Sequence, residues 1–436
     1  MKGSAKWRRH LLGTALAVVA GLMVAPASAF ELEILGNATF SPENPTPEVA
    51  AVYKQAWDAF LAENPDVTIR FDKSAGSPDA VQEILTKVGS GRVVDMGIVE
   101  TSWLARLHAA DFLKPMDDVL TDEAKADFLP GVLEAASRDG HLRGIQLYNS
   151  WRGVYYRPTE VQALGYEQPP TVWNDFLEFG QKALDAGYQS AVMFPATKSE
   201  LTMLYMMPQY FGLGGELFDE TGKPVFFESP YKEKLAEVMS MWRELVARGM
   251  MPVTAGAQDE AAQRPFFYAK QTATIGNATS FTNQFYADQP DLKGNLSVVP
   301  LPLPDGNTPV PMIAGWAYVL LTEDPERREV AKRFIQHLTK PEVMASFNAI
   351  QGHLPIRHSI WKTEPTFSED ALMQKIYQIH LSAPMRLAGG SPIYPATREA
   401  ISGQMAEVIA GTITPEEAIE RAKVDVVAAY DRLTNR

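Results

Sequence analysis

The feature that most constrains how this chain can fold is a change of hydrophobic period that recurs between residues 31 and 99. Glu31 to Leu35 alternates charged and apolar side chains, the period of a strand with one buried face. Val49, Val52, Tyr53, Ala56 and Phe60 then recur at helical spacing until Asn64-Pro65-Asp66 breaks the helix. Val67, Ile69 and Phe71 return to the strand period, and Val81, Ile84, Leu85 and Val88 to the helical one. The run Val93 to Val99 is short and apolar enough for a strand buried on both faces. This alternation predicts an α/β sheet covered by helices. Ligands of such sheets collect beyond the carboxyl ends of the strands. In this part of the chain those ends are Asn37 and Glu100-Thr101-Ser102-Trp103.

The pattern resumes after residue 140. Leu142 to Tyr156 is apolar and aromatic around Asn149-Ser150-Trp151-Arg152, and Pro169-Pro170-Thr171-Val172-Trp173 opens a helix. A long helix from Tyr231 to Arg248 carries Leu235, Val238, Met239, Trp242 and Leu245 on one face. Thr272 to Ile275 reads as a strand ending at Gly276-Asn277-Ala278. The segment 300–306 reads as a loop or crossing strand, because its repeated prolines cannot donate to a ladder. Met312 to Leu321 reads as one apolar strand centred on glycine, followed by a helix holding Val330, Phe334, Ile335 and Leu338.

The first residues are an address. Lys2, Lys6, Arg8 and Arg9, an apolar run from Leu11 to Ala25 and then Ala27-Ser28-Ala29 form a tripartite export signal, with cleavage expected after Ala29. Arg8-Arg9 also admits the twin-arginine route. The apolar run is shorter than the roughly 20 residues a membrane span needs, so a soluble, periplasmic mature protein is expected. Over the whole chain, 40 Lys plus Arg against 53 Asp plus Glu give a net charge of -13, which argues against a nucleic-acid or anionic membrane partner. With no cysteine, thiol nucleophiles, Cys-ligated metals, disulfides and lipid-modified cysteine anchors are excluded.

Five stretches, in order, carry a family likeness. They are Val94-Asp95-Met96-Gly97-Ile98-Val99 with Trp103-Leu104 and Phe112-Leu113-Lys114-Pro115-Met116, then Asp139-Gly140-His141-Leu142-Arg143-Gly144-Ile145 with Tyr155-Tyr156. Pro170-Thr171-Val172-Trp173, Gly214-Gly215-Glu216-Leu217-Phe218-Asp219 and Leu354-Pro355-Ile356-Arg357 follow. The chain resembles the extracellular solute-binding proteins of family 1, the sugar-binding components of ATP-driven importers related to maltose-binding protein. It departs from them at Tyr156-Arg157, where Tyr-Asn is usual, and at Ala314-Gly315, where Gly-Gly is usual. The resemblance implies a two-lobed periplasmic binding protein fold, with the ligand between α/β lobes joined by three hinge crossings. Lobe one would be 30–147 and 317–355, and lobe two 151–310 and 361–436. The crossings would lie at 148–150, 311–316 and 356–360. A monomer with a carbohydrate ligand, ABC transporter permease subunits as partners, and no cofactor or metal is implied.

A sugar presents apolar CH faces and a rim of hydroxyls, so its site pairs aromatic platforms with planar polar groups. Trp103, Trp151, Trp316 and Tyr394 are the platform candidates, with Phe281 and Gly315 beside them. Asn37, Glu100, Ser102, Asn149, Arg152, Asn277 and Arg357 are the polar candidates, since Glu and Asn accept from hydroxyls and Arg offers a fixed fork of donors. Arg152, Arg357 and Arg386 leave open an anionic sugar derivative such as a sugar phosphate or sulfonate. Catalytic motifs are missing: there is no Gly-x-Ser-x-Gly, His-Glu-x-x-His or phosphate-binding loop. Loop carboxylates such as Glu100 and Asp305 could serve a glycosidase or lyase, but nothing in the sequence pairs them.

Overall fold

The computed structural model describes residues 30–434 apart from 75, 76, 383, 384 and 388, so the export signal lies outside the described residues. Two sheets organise the chain. The first has five strands, in the spatial order Val67–Lys73, Phe30–Gly36, Met96–Glu100, Trp316–Leu320 and Ile145–Gln146. The first three run parallel, whereas Trp316–Leu320 is antiparallel to both of its neighbours. The second sheet is a three-stranded antiparallel ribbon, Thr274–Ala278, Arg152–Tyr156 and Ser297–Val299.

Each sheet is covered where the periodicity requires. The Pro47–Glu63 helix starts with proline at its first turn and buries Val49, Tyr53, Ala56, Trp57 and Phe60 against the first sheet. Met96 to Val99 is buried on both faces, and Gly97 leaves the room that Val319 fills, since a Cβ there would lie 2.9 Å from Val319 Cγ2. Asp95, fully buried just before this strand, takes a bidentate pair from Arg327 at 2.6 Å and a bond from the Glu33 N–H at 2.8 Å. It thereby clamps the Pro325–Leu338 helix onto the sheet. In the second lobe, the Glu200–Gly212 helix is buried without a break from Thr202 to Phe211, and Tyr231–Ala247 packs on it through an apolar stripe.

The chain passes between the sheets three times, through 147–151, 300–315 and 352–357. The strand expected over Met312 to Leu321 is broken at this passage. Met312–Ile313 pairs with Arg386–Leu387, and Gly315 has φ +152°, after which Trp316–Leu320 joins the first sheet. Only glycine fits that turn: its φ disfavours any side chain, and a Cβ would come within 2.8 Å of Tyr148 O. The prolines of 300–306 pair no strand, and Leu303 makes a single bridge to Val172. After the third passage the Ala371–Leu381 helix returns to the second sheet, where Lys375 Nζ donates to Tyr156 Oη at 3.2 Å and Ser297 Oγ at 3.0 Å.

Candidate functional site

Ligands of α/β sheets collect beyond the carboxyl ends of the parallel strands. Glu100 ends its strand directly opposite Trp316 in register. The loop after it is tied to the second passage, because the Thr101 N–H and Oγ1 both donate to Gly315 O, at 2.9 and 3.2 Å. Trp316 is half-buried, tilted on Phe40 at 5.2 Å. Phe40 lies against Tyr148, which stacks on His353 at 3.7 Å. These rings form an aromatic cluster drawn from the turn Ala38–Phe40, the first and third passages and the strand that follows the second. Tyr148 was not among the sequence candidates, yet Glu100 and Arg152 both act on it. Burial and then the Glu100 charge raise its hydroxyl, and Arg152 partly offsets them.

The second lobe contributes Asn277 from its central ribbon. Asn277 is fully buried opposite Gly153, and neither Oδ1 nor Nδ2 has a hydrogen-bond partner among the described residues. Ser102 Oγ, Trp103 Nε1 and Trp151 Nε1 are buried in the same condition. A buried amide without partners costs stability. Phe281, the last residue of the 3-10 turn Thr279–Phe281 that follows the Thr274–Ala278 strand, is 39% exposed under the Arg264 guanidinium.

Glu200 is the residue the sequence reading missed. It opens its buried helix, and the Tyr394 hydroxyl donates to its Oε1 at 2.7 Å. Glu100 of the first lobe is near enough to act on both Glu200 and Tyr394. Burial pushes the Glu200 carboxyl up to about 7 with help from the Glu100 charge, against the Tyr394 hydroxyl and Arg398, which favour the anion, although 22% of its side chain still reaches solvent. Its only linear signal was a serine and an acid before an apolar run.

Several candidates are placed elsewhere than their spacing suggested. Asn37 caps a 3-10 turn, its Oδ1 accepting from Thr39 N at 2.9 Å. Asn149 is locked inside the first passage, bonded to His380 and its own neighbour Ser150 N. Trp103 and Trp151 are 5% and 2% exposed, packed into the core rather than presented as open faces. Tyr394 is likewise buried, so it serves Glu200 through its hydroxyl instead of offering a ring.

The arginine forks are already engaged. Arg152 Nε donates to Glu260 at 3.0 Å, and the Tyr205 hydroxyl holds the same carboxylate oxygen at 2.6 Å. Burial works against the Arg152 charge, but Glu260 outweighs it and holds the guanidinium above its ordinary range. Arg357 lies over Phe128 and pairs with Asp127 at 3.1 Å. It lines a groove of about 570 Å³ with Val119 and Lys340, apart from the strand-end residues. Arg386 forks onto both Glu216 oxygens. These pairings come from elements far apart in sequence, which is why the linear reading left the forks open.

A two-lobed α/β chain with a polar, aromatic-walled cleft beyond its strand ends defines a solute-binding protein. The bacterial extracellular solute-binding protein family matches residues 44–345, and the chain belongs to it. Among individual proteins, the chain is 23% identical over 425 residues to the sn-glycerol-3-phosphate-binding periplasmic protein UgpB of Escherichia coli (strain K12), spanning 91% of this chain and 94% of that one. It is also 23% identical over 354 residues to a binding protein of Brucella abortus (strain 2308), covering 80% and 81% of the two chains. The sugar-binding protein MalE from the phytopathogen Xanthomonas citri superposes with a TM-score of 0.77 at 20% identity, over 93% of this chain and 99% of that one. Among the described residues no helix is long and apolar enough to cross a membrane.

Proposed function

We propose that this chain is the exported capture component of an ABC importer, and that it binds a neutral carbohydrate or polyol between its lobes. Cleavage after Ala29 would release it into the periplasm as a monomer. Closure of the lobes, 30–147 with 317–355 against 151–310 with 361–436, would give the form that the permease subunits read. Ligand shifts such an equilibrium by its differential affinity for the closed state.

The observation that carries the neutral reading is the charge of the cleft. Two carboxylates, Glu100 and Glu200, are near enough for the charge of the first to act on the second. Each of the three arginines that the sequence offered to an anion is paired with an acid: Arg152 with Glu260, Arg357 with Asp127 and Arg386 with Glu216. A sugar phosphate would meet repulsion there, whereas hydroxyls suit carboxylates, an orphaned amide and a half-buried indole. The likeness to UgpB supports glycerol 3-phosphate as the second reading. We read the cleft as a binding site and not a hydrolytic one, in keeping with relatives that are binding proteins.

A thermal-shift screen of the mature protein with maltose, ribitol and glycerol 3-phosphate tests both readings. A ligand at 100 times its dissociation constant adds about 2.7 kcal/mol of stability. A shift with glycerol 3-phosphate alone would replace the neutral reading by the anionic one.

A further inference from the structure

Phe40, Tyr148 and His353 of the aromatic cluster also line a cavity of about 10 Å³, together with Tyr53, Tyr318 and Asn348. The rest of its wall is apolar. The last three residues come from three elements: Tyr53 from the Pro47–Glu63 helix, Tyr318 from the Trp316–Leu320 strand and Asn348 from the Pro341–Gln351 helix. All three are buried, at 1%, 1% and 2% exposure. Their polar atoms do not satisfy one another. Asn348 Nδ2 donates to Leu147 O at 3.3 Å, which fixes the orientation of the amide and leaves Oδ1 buried without a donor among the described residues. The Tyr318 hydroxyl is buried in the same condition. Tyr53 Oη accepts from Gln351 Nε2 at 2.8 Å, so its oxygen is engaged while its own proton is still to be placed. Tyr318 is near enough to act on the Tyr53 hydroxyl.

The groups left over are one acceptor and two O–H donors, the complement of a water molecule, which can accept twice and donate to the third. A cavity of about 10 Å³ is close to one water-sized sphere, so it has room for one molecule and not for two. About three hydrogen bonds are usual for a buried water, whereas cavities that stay dry are apolar throughout. We propose that this cavity is a binding site for a single structural water, which accepts from the Tyr53 and Tyr318 hydroxyls and donates to Asn348 Oδ1. The water joins the first sheet to two of its covering helices. Through Asn348 and Leu147 O it also reaches the first passage between the lobes. Because Tyr148 and His353 line the same cavity, the water fills the space beside their stacked rings. The proposal uses neither the identity of the solute nor any motion of the lobes.

The test uses the mature protein with no solute added. Crystals that diffract well enough to show other buried waters should show one ordered water within hydrogen-bond distance of Tyr53 Oη, Tyr318 Oη and Asn348 Oδ1. Tyr318→Phe removes one donor and keeps the ring, and denaturant unfolding should show its folded-to-unfolded ratio lowered about fivefold to thirtyfold. In a dry cavity the same change would delete a hydroxyl that had no partner, and stability would stay level or rise. A Tyr318→Phe variant as stable as the wild type, or more so, would therefore overturn the proposal. So would wild-type crystals whose cavity holds no density, or density out of reach of any of the three atoms, and that result needs no variant to fold.

Discussion

The side-chain amide of Asn149 donates to Nε2 of His380 across 2.7 Å, joining the first passage between lobes to the helix that follows the third. Asn149 Oδ1 is occupied by the Ser150 N–H, so its nitrogen faces the ring and the ring must accept. His380 is thus required to be neutral. It is 2% exposed, and burial pushes its pKa down to about 3. A depressed folded-state pKa contributes stability that is complete above the unfolded value of about 6.5 and is lost as pH falls towards the folded one. We expect denaturant unfolding to show a loss approaching about 1.4 kcal/mol per pH unit from this residue between pH 6.5 and 3. His380→Gln should lower stability at pH 7 yet flatten its dependence on acid. An equally steep acid profile in that variant would refute the assignment.

Trp316 is the indole with a face to spare. Trp316→Ala should weaken the binding of whichever screened sugar or polyol gives a thermal shift by about 2 to 4 kcal/mol, the scale of a buried hot spot. Trp103→Ala and Trp151→Ala should act first on folding, by about 3 to 5 kcal/mol, because both rings are packed in the core. Calorimetry and denaturation on the three variants separate the roles.

Asn277 offers a cleaner distinction between binding and folding. Its buried amide has no partner to lose, so Asn277→Ala should leave the stability of the unliganded protein unchanged or raised. The same change should weaken solute binding by about 1 to 3 kcal/mol. A destabilised variant with undiminished affinity would return Asn277 to the scaffold.

The two arginine candidates should both lose stability when neutralised, Arg152 the more, and differ little for affinity. Arg152→Gln strands Glu260 in a site where its side chain is 6% exposed, a break that costs about 3 to 5 kcal/mol. Arg357→Gln strands Asp127 less severely, since that partner is 22% exposed. In neither case should binding acquire or lose a salt dependence. Loss of detectable binding in Arg357→Gln with folding intact would place that residue in the cleft after all.

What the residues by themselves determined was local. The change of period over Glu31 to Val99 was enough for the first strands and helices, because burial of one face depends only on spacing along the chain. It also located Glu100 and Ser102 at a strand end. Trp316 was legible from the glycine before it, though the break at Gly315 was not, since it depends on the backbone turn taken there and on the approach of Tyr148 O. The tertiary structure decided everything that depends on a partner from another segment. It gave Arg152 to Glu260, Arg357 to Asp127 and Asn149 to His380, internal partners for three candidate ligand contacts. It also set Glu200 against Glu100. The reason is physical: a charge or amide is defined by what neutralises or bonds it within a few ångströms, and those neighbours here are separated by 100 residues or more.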